Sequence, residues 1–342
     1  MGQRNLHEIL TRYNIRTSLI EDLENFPSSK SIGIEYEHFW LTYQREYHQT
    51  FDNPPISFPD QNLSDTTIYW PLSISRIESK KLISSDGQNI FLPVFSDQIS
   101  EKAKSRLLRE IFLELLSMSR IDTDSTIGNI LVRENEIESI HPWVEMALDS
   151  QIPVEIVQNC NLQLEQTVEQ IETCFGSSTR KNIRTGIQDF DIQIFTGLEA
   201  ESVWTEFKNL HLRVAGKATR SDRTWELQLN SILSGNGCLV MAKPKSENEF
   251  ISGILVQYNQ YEAYYSVAAT IREYFDVGIN HAMQWRIIEH LKSLSIIRYQ
   301  IGQKVYPSLF GNPSLKEINI GRFKRQFVSR TEPSYKIHFN SD

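Results

Sequence analysis

The sequence predicts a mixed α/β fold, and two features of its second half support this class. Cys238–Ala242, Ile251–Gln257 and Glu262–Ala269 are short apolar segments, typical of successive antiparallel strands. The stretch from Tyr264 to Phe327 then continues as strand, loop, amphipathic helix, strand and a late helix with a basic end. Such a strand–helix–strand unit places the free amides of a helix N-terminus beside a sheet edge.

The first half shows a similar alternation of strands and helices. The best helix covers Ser100–Met118, where apolar residues recur every three or four positions. Asp86-Gly87 lies between two apolar segments and predicts a hairpin. The other elements predicted here are helices over Leu6–Tyr13, Thr17–Leu23 and Pro142–Met146 and strands over Thr66–Ser73, Ile127–Val132 and Pro153–Val157.

In the second half, the remaining predicted elements surround the strand–helix–strand unit. Apolar spacing predicts a helix over His281–Leu294 and a return strand over Ile296–Ile301. The other segments predicted are helices over Leu162–Phe175, Ala200–Leu212 and Thr224–Leu233, a short helix within Gly176–Ile187 and a strand over Phe190–Phe195.

Composition indicates a globular protein and excludes several classes. The chain has 342 residues, of which 40% are hydrophobic and 23% charged, as in ordinary folded domains. No apolar run approaches the roughly 20 residues of a membrane span, and the first residues contain no apolar signal core. The three cysteines are unclustered, so neither a disulfide framework nor a metal site is expected. We therefore expect a cytoplasmic protein without membrane insertion.

The charge is uneven along the chain. The net charge is −8, yet residues 171–342 carry 21 Lys and Arg against 17 Asp and Glu. The first 170 residues are therefore acidic, and an anionic ligand is expected to favour the second half.

Five segments of the second half resemble a known family. They are TRKNIR at 179–184, AGKATRSDRTWELQ at 215–228, GINHAMQW at 278–285, YQIG at 299–302 and KEINIGRFKRQF at 316–327. Together they resemble the Fem-type peptidyltransferases and, more closely, the FemAB-like (BioF2-like) acetyltransferase-domain proteins found with surface-polysaccharide genes. The resemblance covers about 170–330.

This resemblance implies an α/β protein with mixed sheets arranged as tandem GNAT-like acyltransferase domains. The expected division is an N-terminal GNAT-like domain at 1–160 and a C-terminal FemAB-like domain at 161–342. The implied activity transfers an acyl or aminoacyl group to an amino group. In Fem enzymes, which use charged tRNA, a Phe-Lys pair lies by the reacting acyl group. That pair matches Phe323 and Lys324 here.

Acyl transfer to an amine requires removal of a proton and stabilisation of the developing oxyanion. Lys324 is the candidate for oxyanion stabilisation, although a basic residue near a helix end also complements the helix dipole. Glu317 and His281 are candidate bases, because both lie near the predicted cleft.

The loop before the His281–Leu294 helix bears on the acyl donor. Acetyl-CoA enzymes carry several glycines in this loop, whose amides hold a pyrophosphate. Here only Gly278 is present, followed by Asn280 as a second cofactor-binding candidate. The missing glycines favour a donor other than acetyl-CoA. We expect no tightly bound cofactor. The donors left open are an aminoacyl-tRNA, acyl-CoA or another acyl carrier.

Further polar residues are candidates for substrate binding. The basic ones could contact phosphate, and the others suit a polar acceptor at the ends of strands. They are Arg180, Lys181, Arg184, Arg220, Trp225, Gln228, Arg272, Tyr299, Gln303 and Tyr306. An exposed basic turn would explain Arg180, Lys181 and Arg184 equally well, and Trp225 could be a core residue.

Three functions remain open. The first is an N-acyltransferase acting on an amino sugar or nucleotide-linked cell-surface precursor. The second is a Fem-type peptidyltransferase that takes its aminoacyl group from charged tRNA. The third is a binding protein that keeps the scaffold without catalysis. The motifs of P-loop hydrolases, zinc proteases and α/β-hydrolases do not occur in the sequence.

Overall fold

The chain divides into two compact units. The computed structural model describes residues 2–17, 32–48, 67–77, 80–121, 125–133, 140–308 and 310–339. Unit 1 comprises residues 1–157 and 333–342, and unit 2 comprises Gln158–Glu332. Residues 333–342, which the sequence analysis assigned to the C-terminal domain, thus belong to unit 1.

Unit 1 is built from short strands around one long helix. Its helices are α1 (Gly2–Arg12), α2 (His38–Tyr47), α3 (Glu101–Ile121) and α4 (Pro142–Asp149). Its strands are β1 (Ile15–Arg16), β2 (Ile68–Tyr69), β3 (Ser73–Ile77), β4 (Lys80–Ser84), β5 (Asn89–Ile90), β6 (Val94–Phe95), β7 (Ser125–Ile127) and β8 (Asn129–Arg133).

The core of unit 1 forms along α3, as the apolar spacing predicts. Ile111, Phe112 and Leu115 are fully buried there, beside Trp143 of α4. The Trp143 indole donates a hydrogen bond to the Leu108 carbonyl at 2.7 Å, which satisfies its buried N–H.

The predicted Asp86-Gly87 hairpin is wrong. The Asp86 carboxylate accepts hydrogen bonds from the Gln88 and Asn89 amides, so the segment does form a tight turn. However, β4 pairs with β3 and β7, whereas β5 pairs in parallel with β8. The turn therefore redirects the chain to another strand partner. Residues 18–23 of the predicted Thr17–Leu23 helix, and Thr66 of the predicted strand, lie outside the described residues.

Unit 2 contains the elements on which the functional predictions rest. The chain enters it within β9 (Val154–Gln163) and leaves it within β15 (Glu332–Ile337). Its helices are α5 (Val168–Thr173), α6 (Ser177–Asp189), α7 (Gly197–Ala215), α8 (Asp222–Leu233), α9 (Ile279–Ser293) and α10 (Leu315–Arg325). Its other strands are β10 (Phe190–Phe195), β11 (Gly237–Pro244), β12 (Ser252–Tyr258), β13 (Glu262–Thr270) and β14 (Arg298–Lys304).

The sheet of unit 2 has the order β10-β11-β12-β13-β14-β9. The strands from β10 to β13 are antiparallel, β13 and β14 are parallel, and β14 is antiparallel to β9. The predicted antiparallel strands and the strand–helix–strand unit β13–α9–β14 are therefore confirmed. The predicted helix over Leu162–Phe175 is shorter, because Thr167 and Gln170 form a capping box that starts α5 at Val168.

Two helices of unit 2 approach each other at glycines. Gly186 of α6 lies so close to α9 that an added Cβ would stand 2.5 Å from the Gly278 carbonyl oxygen and 2.7 Å from the Ala282 Cβ. Gly278 precedes α9 with a φ of 83°, and a Cβ there would stand 2.4 Å from the Asn182 carbonyl oxygen. The two glycines therefore allow α6 to pack directly on the start of α9.

None of the helices in the described ranges is long and apolar enough to span a membrane.

Replacing Gly186 with Ala should destabilise the protein by about 1–3 kcal/mol, because the new methyl group collides with backbone atoms. This loss should exceed the gain of up to about 1 kcal/mol in helix propensity. Chemical denaturation of the full chain measures the change. Gly176→Ala is the control, since nothing lies within 4 Å of its added Cβ. Equal stability of the two variants would contradict the packing argument.

Candidate active site

The sheet of unit 2 opens between β13 and β14. The two strands pair over only three residues each, ending at Tyr264 and Gln300. Immediately beyond this point both strands shift register against their outer neighbours, with Ser266 extra in β13 and Ile301 extra in β14. Because a bulge bends a strand away from its partner, the two strands separate here.

Lys324 lies at this opening. Gly302 of β14 has a φ of 123°, and an added Cβ would stand 2.3 Å from the Lys324 Nζ and 3.0 Å from its Cε. The lysine side chain therefore occupies the space that any other residue at position 302 would fill. Gly302 is the register partner of Cys160 in β9, so the ammonium lies on the same face of the sheet as that buried thiol.

The environment of Lys324 is largely apolar. Its Nζ stands 5.6 Å from the centroid of the Tyr265 ring, which attracts a cation through its π face. Burial lowers the pKa of Lys324 below its ordinary value of 10.5. Burial also raises the pKa of the Cys160 thiol, against the opposing effect of Lys324. No carboxylate forms an ion pair with Lys324 in the described part of the chain. This leaves the ammonium available to a ligand.

Phe323 anchors the end of α10 against α9. Its ring packs edge-on against His281 at 5.1 Å and against Phe327 at 5.2 Å between centroids. His281 Nε2 is hydrogen-bonded to Gln326 Oε1 at 3.0 Å, and Thr179 of α6 donates to the same oxygen at 3.1 Å. These contacts join α6, α9 and α10 and position the neighbouring Lys324.

These contacts give His281 a structural role, and its role as a base stays a prediction. It is 7% exposed, and burial lowers its pKa, which keeps the imidazole neutral near pH 7.

Glu317 also has a structural role. It is the third residue of α10, and its carboxylate accepts hydrogen bonds from the Ser314 amide and hydroxyl, both at 2.7 Å. These bonds lower the pKa of the carboxyl group, which makes it a weaker base. The sequence Ser-Leu-Lys-Glu at 314–317 is a capping box, a signal that the base prediction overlooked.

The predicted cofactor residues at the start of α9 are engaged with protein groups. Gly278 is buried against α6, and the Asn280 side-chain oxygen accepts a hydrogen bond from Thr270 at 2.8 Å. These two positions therefore differ from the open cradle expected for a pyrophosphate.

The three predicted basic residues of α6 share a helix but differ in their surroundings. Arg180 and Arg184 lie one turn apart, and Lys181 follows Arg180. Arg184 forms an exposed ion pair with Glu172 at 3.4 Å, whereas Arg180 is half-buried and Lys181 is exposed. Arg180 adjoins Thr179, which bonds to Gln326 of the α10 end.

Arg220, Trp225 and Gln228 form one contact group on the α7–α8 side of the sheet. The Arg220 guanidinium stands 4.7 Å from the Trp225 ring centroid and donates to Gln228 Oε1 at 3.1 Å. Trp225 is buried in a core with Trp204 and Phe207. It is therefore a core residue whose ring packs against the Arg220 guanidinium.

The remaining predicted binding residues divide into buried and exposed positions. Tyr299 is fully buried, and its hydroxyl donates to Gln284 at 2.9 Å, so it is a core residue rather than a cleft residue. Gln303 and Tyr306 are exposed at and beyond the end of β14, where the Lys304 Nζ stands 4.8 Å from the Tyr306 ring centroid. Arg272 is exposed in the loop after β13.

Sequence reasoning missed three residues of the opening. Tyr265 and Cys160 carry no motif, and only the fold brings them to the lysine. Gly302 was available as a signal, since a glycine inside the strand pattern YQIGQ indicates a bulge or a close approach.

Solved structures confirm the predicted mixed α/β fold. The structure of FemX covers 98% of this chain and 95% of its own, with a TM-score of 0.59 and 11% identity. L-PGS from Bacillus licheniformis covers 92% of this chain and 95% of its own, with a TM-score of 0.51 and 10% identity.

A conserved protein of unknown function from Bacteroides thetaiotaomicron covers 87% of this chain and 90% of its own, with a TM-score of 0.51 and 9% identity. No family model matches the sequence, and no curated protein matches it. At these identities the similarity defines the fold alone.

The lowered pKa of Lys324 should make stability depend on pH. Between the folded-state pKa and the ordinary 10.5, the unfolded chain binds the proton more strongly, so stability should rise as pH rises through this range. Unfolding free energies measured by denaturant titration should show this rise relative to Lys324→Met, which has no titrating group. Parallel pH curves for the two proteins would contradict a half-buried, destabilised ammonium.

Proposed function

We propose that this protein is an N-acyltransferase that transfers an acyl or aminoacyl group to an amino group. The observation that carries the proposal is the position of the Lys324 ammonium. It lies over Gly302 and against Tyr265 where β13 and β14 separate, without an ion-paired carboxylate in the described residues. Phe323 and Lys324 are also the pair that resembles the Fem catalytic pair.

The chemistry follows from charge development. When the amine nitrogen attacks the acyl carbon, the carbonyl oxygen gains negative charge as the new C–N bond forms. A fixed ammonium in a poorly hydrated site stabilises that oxygen more strongly than it stabilises the neutral carbonyl. The bond to the leaving oxygen or sulfur then breaks, and the leaving group takes the proton that the amine loses.

The start of α9 supports one acyl donor over another. Packing of α6 on Gly278 and the bond between Asn280 and Thr270 support a donor that does not place a pyrophosphate at these two residues. We therefore favour an aminoacyl ester, as carried by charged tRNA, over acyl-CoA. Arg180 and Lys181 of α6 are the basic residues proposed to contact its phosphates. The proposed acceptor is an amino sugar or a nucleotide-linked cell-surface precursor.

Replacing Lys324 with Ala should lower kcat by about 10²–10³-fold, the usual cost of one oxyanion-stabilising group. Binding of the acceptor should remain, because the change removes charge at the reacting oxygen only. Lys316→Ala is the matched control, since Lys316 is an exposed lysine on the same helix. Unchanged turnover in Lys324→Ala would refute the role of the lysine. Ligand binding without turnover in the unmodified protein would instead favour a non-catalytic binding protein.

The donor is tested by offering labelled acetyl-CoA and a labelled charged tRNA side by side with a mixture of amino-sugar acceptors. We expect label transfer from the tRNA, and we expect ribonuclease treatment to abolish it. Transfer from acetyl-CoA that resists ribonuclease would establish the CoA donor and overturn our choice, while leaving the acyltransferase assignment intact.

A further inference from the structure

A row of four polar side chains crosses the sheet at the β13–β14 opening. Gln257 of β12 is the register partner of Tyr264 in β13, which is the partner of Gln300 in β14. Gln300 is in turn the partner of Asn161 in β9. Register partners point to the same side of a sheet, so these residues form one continuous band, here called the polar row.

The polar row lies on the face opposite Lys324. Gln257 donates to the Ser231 hydroxyl of α8 at 3.1 Å, which places the row on the α7–α8 side. Tyr265 follows Tyr264 in β13, and Tyr299 precedes Gln300 in β14. Because side chains alternate along a strand, both tyrosines point to the other face, where Tyr265 contacts the lysine. The row and the ammonium thus border the same opening from opposite sides of the sheet.

The row and the adjoining α8 contain buried polar atoms without partners. Gln300 is 7% exposed, and its side-chain NH₂ has no hydrogen-bond partner among the described residues. The same holds, within the residues that the structure places, for the NH₂ of Gln228, which is fully buried, and for the side-chain oxygen of Asn161. Each such buried group costs about 1–3 kcal/mol, so the set indicates a ligand or ordered water.

The surrounding contacts hold these groups in place. Arg220 donates to the Gln228 oxygen at 3.1 Å, which leaves the NH₂ of Gln228 free to donate. The NH₂ of Asn161 donates to Glu332 at 2.8 Å, which leaves its oxygen free to accept. Ser266 at the bulge donates to the Gln257 oxygen at 2.8 Å. The side chains of Gln228, Asn161 and Gln257 are therefore held in place before any ligand arrives.

We propose that the polar row binds the hydroxyl groups of the acceptor, and that the acceptor is a hydroxyl-bearing amine such as an amino sugar. This inference rests on the proposed acyltransferase function and specifies its acceptor site. Hydroxyl groups both donate and accept hydrogen bonds, so they match the free NH₂ group of Gln300 and the free oxygen of Asn161 better than a carboxylate or an ammonium does.

The position of the row assigns it to the acceptor rather than the donor. The oxygen of the activated carbonyl must face Lys324, so the attacking amine reaches the carbonyl carbon from another direction. The opening between β13 and β14 joins the two faces at the end of the ladder formed by Tyr264 and Gln300. An amine held by the row therefore meets the carbonyl at that point.

The test measures binding of glucosamine and of cyclohexylamine, which has the ring and the amine without hydroxyls, by calorimetry with no donor present. The unmodified protein should bind glucosamine more tightly than cyclohexylamine. Gln300→Met, which keeps the volume but removes the NH₂, should weaken glucosamine binding by about five- to tenfold, as expected for one hydrogen bond. Cyclohexylamine binding should not change.

Two controls separate a binding role from a structural one. Gln166→Met changes an exposed glutamine outside the row and should leave both affinities unchanged. The unfolding midpoint of Gln300→Met should stay equal or rise, because the variant removes an unsatisfied polar group.

The proposal is overturned if the protein does not bind glucosamine, if it binds both amines equally, or if Gln300→Met binds glucosamine normally. These outcomes do not depend on turnover. Loss of the hydroxyl preference with intact Lys324-dependent catalysis would refute the acceptor site alone, and hydroxyl-selective binding without catalysis would refute the enzyme alone.

Discussion

The packing of one half-buried ammonium over one glycine is the contact around which the opening between β13 and β14 is arranged. A lysine loses hydration when it is buried, and here the Tyr265 ring rather than a carboxylate offsets part of the loss. Gly302 makes the approach possible, because its positive φ and missing side chain leave space for the lysine. The bulges in β13 and β14 then separate the two strands beside the lysine.

The supporting contacts give several residues near the opening a structural role. Phe323, His281 and Gln326 connect three helices, and Glu317 caps the helix that carries the lysine. Each of them fixes the direction from which Lys324 enters. Few polar residues at this site are therefore left to contact a ligand, and more of them position the helix that carries Lys324.

The sequence was sufficient for the order of elements in unit 2, because apolar spacing and local motifs act over a few residues. Lys324 was a candidate through the family resemblance, and its catalytic role stays a prediction. It could not place Tyr265, Cys160 or the polar row, since these are brought together only by strand register across the sheet. The errors have the same origin. Tyr299 and Trp225 are aromatic residues with a polar atom, and only the fold decides whether that atom faces a cleft or a core. The hairpin at Asp86-Gly87 failed because strand partners are chosen by the whole unit.

The return of the chain into unit 1 affects the order in which the protein can be completed during synthesis. Residues 334–337 of β15 pair with β8, about 200 residues earlier in the chain, and Ile337 is fully buried in the core of unit 1. Although most of unit 1 leaves the ribosome before unit 2, its strand β15 leaves after unit 2. Unit 2, a single continuous segment, can therefore finish folding before the unit that precedes it.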